Sequence, residues 1–196
     1  MDEFDSLFAQ GHALVEEQIW EKAIEKLEKA AKLDDSYSEL WFDLAYAYES
    51  INYIRKAIQS YEKALKIEPD NIRILNNLAN CYRKIDEFSK AEDCYNKIFE
   101  INPDSIIGWF SRSEMLKRKG DLEGAINGAK HTLELAEEKQ EAYFLAASHY
   151  NLACYMTLNG KKELAKKHLQ QAIDINPNLE QNARQDPDLQ ALNYFA

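Results

Sequence analysis

Leu44, Ala45 and Tyr48 lie three, four and seven residues after Trp41, and Leu75, Leu78, Ala79 and Tyr82 repeat that spacing 34 positions later. In an α-helix this spacing gathers the side chains into one apolar stripe. A second stripe follows each: Ala57, Tyr61 and Ala64 are answered by Ala91, Tyr95 and Ile98. Each period therefore reads as helix, turn, helix. The phrases YEKALKIEPDN and YNKIFEINPDS, also 34 residues apart, close two such periods. Pro69 and Pro103 mark helix boundaries, since proline lacks an amide hydrogen and restricts the residue before it. Asp70 and Asp104 are the expected N-caps.

Small residues keep the same beat. Gly11, Ala45, Ala79 and Ser113 form one series and Ala23, Ala57, Ala91 and Ala125 another, each at intervals of 34 residues. Twelve residues separate the partners, which predicts that two small positions on successive helices approach closely. A bulky side chain at either would push them apart. One helical hairpin per period of about 20–50 residues is the signature of a solenoid, because a lone hairpin cannot bury its apolar faces without a neighbour.

These residues resemble the tetratricopeptide repeat. The resemblance implies an all-α, right-handed superhelical solenoid of five hairpins, at 4–37, 38–71, 72–105, 106–139 and 146–179, with capping helices at 180–196. The fifth repeat carries Leu152, Ala153, Gly160, Ala165, Ala172 and Pro177, and the insertion 140–145 is expected to lengthen its first helix. Departures are informative. The first repeat has Asp35 in place of proline and Leu7 where Trp41 and Trp109 stand, as in a terminal repeat. Arg112, Ser113, Ala129 and Thr132 predict looser packing in the fourth. Leu179, Ala183, Leu189, Leu192 and Phe195 suit a cover for the last apolar edge, with Glu180, Gln181 and Arg184 facing water. Asp186 and Pro187 separate two short helices there, and ARQDPDL resembles endings of bacterial repeat proteins, which implies a prokaryotic origin.

Composition agrees with helix: 6 Gly and 4 Pro in 196 residues, with abundant Ala, Leu, Glu and Lys. The net charge of −10 is uneven, with 16 acidic against 8 basic residues over 1–71 and 18 against 16 thereafter. That sign argues against nucleic acid as a ligand. Three cysteines without CxxC spacing, and no basic and apolar leader, point to a reducing cytoplasm. No apolar run is long enough for a membrane span.

Little suggests catalysis, a cofactor or a metal. The four histidines form no HExxH and no i, i+4 pair. His149 and Cys154, five residues apart, lie on different helix faces. The carboxylates read as a solvated face, and there is no glycine-rich phosphate loop. The chain reads as non-enzymatic.

In the resembled family the first helix of each repeat lines a concave groove, one residue past the packing stripe. Carried over, that rule selects Asp5, Phe8, Ala9 and His12; Glu39, Phe42, Asp43, Tyr46 and Glu49; Arg73, Asn76, Asn77, Asn80, Arg83 and Lys84. It continues with Phe110, Ser111, Glu114, Lys117 and Arg118, then Tyr150, Asn151, Cys154 and Thr157. One position reads Phe8, Phe42, Asn76, Phe110, Tyr150: apolar anchors if exposed, and otherwise packing residues. Asn76, Asn77 and Asn80 can pair with a peptide backbone irrespective of sequence. Arg73, Arg83 and Lys84 would add a preference for an acidic segment or a C-terminal carboxylate. Phe8, His12, Asp43, Arg73 and Asn77 occupy the places of the family's carboxylate clamp and mostly fail to match it, so a chaperone tail is not the expected ligand. The expectation is a cytoplasmic adaptor that holds an extended or helical segment of another protein, with no nucleic acid and no membrane. The alternative is a structural module that self-assembles through its array ends.

Overall fold

The computed structural model describes residues 2–195, which are helical throughout with no strand among them. Two compact units divide the chain. The first, Met1–Ile101, holds α1 (Glu3–Glu16), α2 (Trp20–Leu33), α3 (Ser38–Ser50), α4 (Ile54–Ile67), α5 (Ile72–Lys84) and α6 (Phe88–Ile101). The second, Asn102–Ala196, holds α7 (Ile106–Lys119), α8 (Leu122–Lys139), α9 (Ala142–Leu158), α10 (Lys162–Ile175), α11 (Leu179–Gln185) and a short 3₁₀ helix (Pro187–Leu192). Successive helices pair as hairpins, and neighbouring hairpins pack within each unit.

The turn inside each hairpin needs one residue in left-handed backbone. Gln18, Asn52, Asp86 and Gly120 supply it, again at 34-residue intervals, and Gly160 serves the fifth hairpin. Only two of these five are glycine, which is why composition conceals the series. Helices α5 and α7 are capped by Asn71 and Ser105 rather than by Asp70 and Asp104. The Asn71 side chain accepts from the Ile74 amide at 3.2 Å, and the Ser105 hydroxyl from the Gly108 amide at 3.3 Å. Both residues have the extended backbone that a cap requires. Two further devices recur. Trp41 Nε1 donates to the Asp35 carbonyl at 2.7 Å, and Trp109 Nε1 to Pro103 at 2.8 Å. In the first unit Tyr82 donates to Glu62 at 2.6 Å, and Tyr48 donates likewise to Glu28. Each of these tyrosine–glutamate pairs ties the second helix of one hairpin to the first helix of the next.

The alanine series lies in the core: Ala23, Ala45, Ala57, Ala79, Ala91 and Ala125 are inaccessible. Gly11 and Gly128 are further points of close approach between paired helices. A Cβ on Gly11 would lie 2.6 Å from the Leu27 side chain, and one on Gly128 would lie 3.0 Å from Ser113 Cβ. In the fourth hairpin Ser113, Ala129 and Thr132 lie in the interior. Ser113 and Thr132 are fully buried and bond back to their own helices, at 2.8 Å to the Phe110 carbonyl and 2.9 Å to the Gly128 carbonyl. The extra residues before the fifth hairpin lengthen both neighbours, α8 to 18 residues and α9 to 17. Beyond α10, Ala183, Leu189 and Leu192 are buried while Leu179 and Phe195 are half-buried. Among the described residues no helix is long and apolar enough to cross a membrane.

Candidate peptide-binding faces

In the first unit, α1, α3 and α5 bring together much of the expected groove. Glu39 and Arg73, 34 residues apart on consecutive first helices, pair at 2.8 Å. The Arg73 guanidinium lies 3.8 Å from the centroid of the Phe42 ring. Phe42 is therefore buried, wedged between that guanidinium and the Tyr61 ring, and offers no open face. The accessible aromatic is Tyr46, 43% exposed, which stacks on Phe42 and meets Trp20 edge-on at 5.7 Å. Phe8 is likewise half-covered, packed against Phe4 and Tyr37.

The asparagine cluster is split. Asn76 is only 3% exposed and its Oδ1 has no hydrogen-bond partner, so it belongs to the interior and not to the lining. Asn77 and Asn80 remain half-buried. The expected cations already have acidic or polar neighbours: Lys84 bonds Glu49 at 2.7 Å, and Arg83 reaches Asn80 Oδ1 at 3.5 Å. Glu49 also accepts from Tyr61 at 3.1 Å. Asp43, 3% exposed, faces His12 Nδ1 at 2.7 Å. Burial raises the Asp43 carboxyl above its ordinary range despite the histidine. His12 is raised in turn, chiefly by its bond to Asp43.

These side chains border a cleft of about 410 Å³ lined by His12, Val15, Glu16, Gln18, Trp20, Glu39, Phe42, Asp43, Tyr46 and Arg73. Its walls are aromatic and its ionisable groups mostly acidic. Trp20 falls outside the groove rule, because it starts a second helix. A signal exists nonetheless: Trp20, Ile54, Phe88 and Leu122 are large apolar residues at 34-residue intervals.

In the second unit, Phe110 is half-buried against Phe144, with ring centroids 5.6 Å apart. Lys117 Nζ lies 2.5 Å from Asp188. Arg118 is exposed, and Asn151 Nδ2 is buried without a hydrogen-bond partner beside a recess of about 140 Å³ lined in part by Tyr143 and Tyr150. Tyr150 donates to Asp186 at 2.8 Å, and Cys154 Sγ lies 3.7 Å from the same carboxylate. Cys154, Asp186 and Asp188 have the mutual spacing of metal ligands, but the Lys117 ammonium already sits against Asp188. All three thiols are buried and raised by that burial, Cys94 up to about 12, so none has thiolate character.

Profiles of the tetratricopeptide repeat match residues 38–71, 72–105 and 146–179, together 102 of the 196 residues. The chain belongs to the tetratricopeptide repeat family. No curated protein sequence matches it. Among solved structures it is similar to "MamA 41-end from Desulfovibrio magneticus RS-1", with TM-score 0.76 at 14% identity over 91% of this chain and 97% of that one. "MamA RS-1 ArsTM double mutant" gives 0.73 at 15%, covering 92% and 98%, and "MamA MSR-1 C2" gives 0.67 at 20%, covering 89% and 97%. At such identities the likeness establishes the fold. Tetratricopeptide repeats are in general non-enzymatic protein-interaction modules, and this tetratricopeptide-repeat chain is a protein-interaction scaffold in that sense.

The His12–Asp43 contact makes an expectation that proton NMR can check. His12 titrates above 6.5 in the native chain, and Asp43→Asn moves it back toward 6.5 because the main cause of the shift is gone. An unchanged His12 titration in Asp43→Asn would show that the pair does not form.

Proposed function

We propose that the chain is a cytoplasmic adaptor that holds an extended segment of a partner protein along the first helices of the hairpins in its first unit, and that a basic side chain of the segment is its anchor there. The observation that carries this reading is the aromatic-walled cleft of Trp20, Phe42 and Tyr46. Glu16, Glu39 and Asp43 line it beside two basic residues, Arg73 and His12. A lysine or arginine entering it would stack on the exposed Tyr46 face, a contact worth about 0.5–2 kcal/mol. It would also exchange with Arg73 for Glu39. That surface pair is half-exposed and worth only about 0–1 kcal/mol, so the exchange is cheap. Asn77 and Asn80 can bond the peptide backbone on α5. Because Arg73 and Lys84 are already paired with Glu39 and Glu49, an acidic ligand would find little unbalanced positive charge on this unit. The buried, unpaired thiols suit a reducing compartment.

Selection from a displayed library of random heptapeptides tests the reading. On the native chain, peptides with Lys or Arg beside an apolar residue should be enriched. On Glu16→Lys/Glu39→Lys, two partly solvent-facing substitutions, that enrichment should vanish. In the selected peptides, Tyr46→Ala should weaken binding about tenfold, as loss of an aromatic anchor does. No enrichment on the native chain, or the same enrichment on both, overturns the proposal.

A further inference from the structure

The residues Ala183 to Leu192 read ARQDPDLQAL, and their two carboxylates land on side chains that the groove rule assigns to a partner. Asp188 Oδ2 lies 2.5 Å from Lys117 Nζ on α7. Asp186 Oδ2 accepts from the Tyr150 hydroxyl on α9 at 2.8 Å, with Cys154 Sγ 3.7 Å away. Helices α7 and α9 are the first helices of consecutive hairpins, so the segment crosses the face that a bound peptide would use. Asp186 Oδ1 meanwhile accepts from the Asp188 amide at 2.9 Å, a turn that presents both carboxylates together. Leu189 and Leu192 follow as buried apolar anchors.

We propose that the α7–α9 face is a binding site for acidic Asp-x-Asp-Leu segments, and that residues 183–192 are its resident occupant, displaced when a partner presents the same chemistry. The site does not depend on the cleft of the first unit. Its polar half consists of one ammonium, one phenol and the weakly donating Cys154 thiol, donors that any correctly spaced pair of carboxylates satisfies equally well. The resident segment is built for exchange. It holds the last three residues of a seven-residue helix and a six-residue 3₁₀ turn, elements of lengths at which helices are marginal by themselves. Being tethered, it competes at high effective concentration, so a partner binds weakly until the segment is loosened.

The test uses the full chain and a fluorescein-labelled acetyl-ARQDPDLQAL-amide peptide, followed by fluorescence anisotropy. Asp186→Asn/Asp188→Asn removes the resident carboxylates, and this variant should bind the peptide at least tenfold more tightly than the native chain. Lys117→Ala added to that background should abolish binding, and a peptide with asparagine at both acidic positions should not bind. Amide exchange in the native chain guards against a folding artefact, since saturating peptide should accelerate exchange of residues 183–192. The proposal falls if the labelled peptide binds neither protein, or binds both equally without altering exchange there. It falls also if binding is lost on Glu16→Lys/Glu39→Lys instead of Lys117→Ala. A native chain whose mass by light scattering rises with concentration, and falls with excess peptide, would make the occupant a second copy's segment and overturn the intramolecular form.

Discussion

Leu27→Ala is expected to lower the unfolding free energy by about 2–5 kcal/mol, the range for truncating a fully buried leucine. Leu27 is inaccessible and lies directly against the α1 backbone at Gly11, where a Cβ would sit 2.6 Å from its side chain. No side chain on Gly11 can flow into the space left behind, so the cavity term stays large. Chemical denaturation checks the size of the effect. Coupling gives the sharper result. Gly11→Ala gains helix propensity of about 1 kcal/mol but collides with Leu27, so it should be destabilising in the native chain and stabilising in the Leu27→Ala background. Strict additivity of the two changes would mean that α1 and α2 do not meet at these residues.

Acidification from pH 7.5 to 5.5 is expected to move the two units in opposite directions. In the first unit, the raised His12 contributes stability that is fully present below 6.5 and is lost as pH rises through its folded value. The raised Asp43 carboxyl has the same sign, with stability falling as pH climbs from 3.8 through its folded value. In the second unit His149 and His168 face each other at 2.9 Å between α9 and α10. Burial lowers both, Lys130 lowers His168 further, and Glu137 only partly opposes the change at His149. A lowered imidazole binds fewer protons folded than unfolded, so stability is lost as pH falls below 6.5 through the folded value. A tenfold difference in proton affinity between the folded and unfolded chain corresponds to about 1.4 kcal/mol. Amide exchange resolved by residue should show α9 and α10 loosening toward pH 5.5 while α1 and α3 tighten. His168→Gln, which leaves an amide to bond His149, should flatten the response of the second unit. A uniform change across both units would contradict the assignment.

What can be read from the sequence is what repeats. The alanine series, the paired stripes and the proline boundaries each recur every 34 residues, and a helix converts such recurrence directly into a buried face. The caps at Asn71 and Ser105 lie one residue past the expected positions, because an aspartate after proline and a polar residue after that are equally good caps until backbone angles choose. Asn76 departs from expectation for a different reason: stripe counting places it beside Asn77, but the depth of a position is set by the neighbouring hairpin. The contacts of Tyr48 with Glu28, and of Lys117 with Asp188, lie outside the apolar stripes. The tyrosine–glutamate separation of 20 residues recurs at Glu62 and Tyr82 but shows only once the helices are packed, and the 71 residues between Lys117 and Asp188 follow no period. Counting along the stripe puts Arg73, Lys84 and Lys117 on first helices, whereas their neutralisation by Glu39, Glu49 and Asp188 emerges only from three-dimensional packing.

The claim of an acidic, aromatic-walled anchor site is tested most directly at the Trp20 indole, assigned against Trp41 and Trp109 in nitrogen-15 spectra by single Trp→Phe substitutions. Titration with acetyl-arginine-amide should shift the Trp20 indole and the Tyr46 amide, and acetyl-glutamate-amide should leave both in place. Equal shifts with the two compounds, or arginine-dependent shifts centred on Trp41 or Trp109, would contradict it.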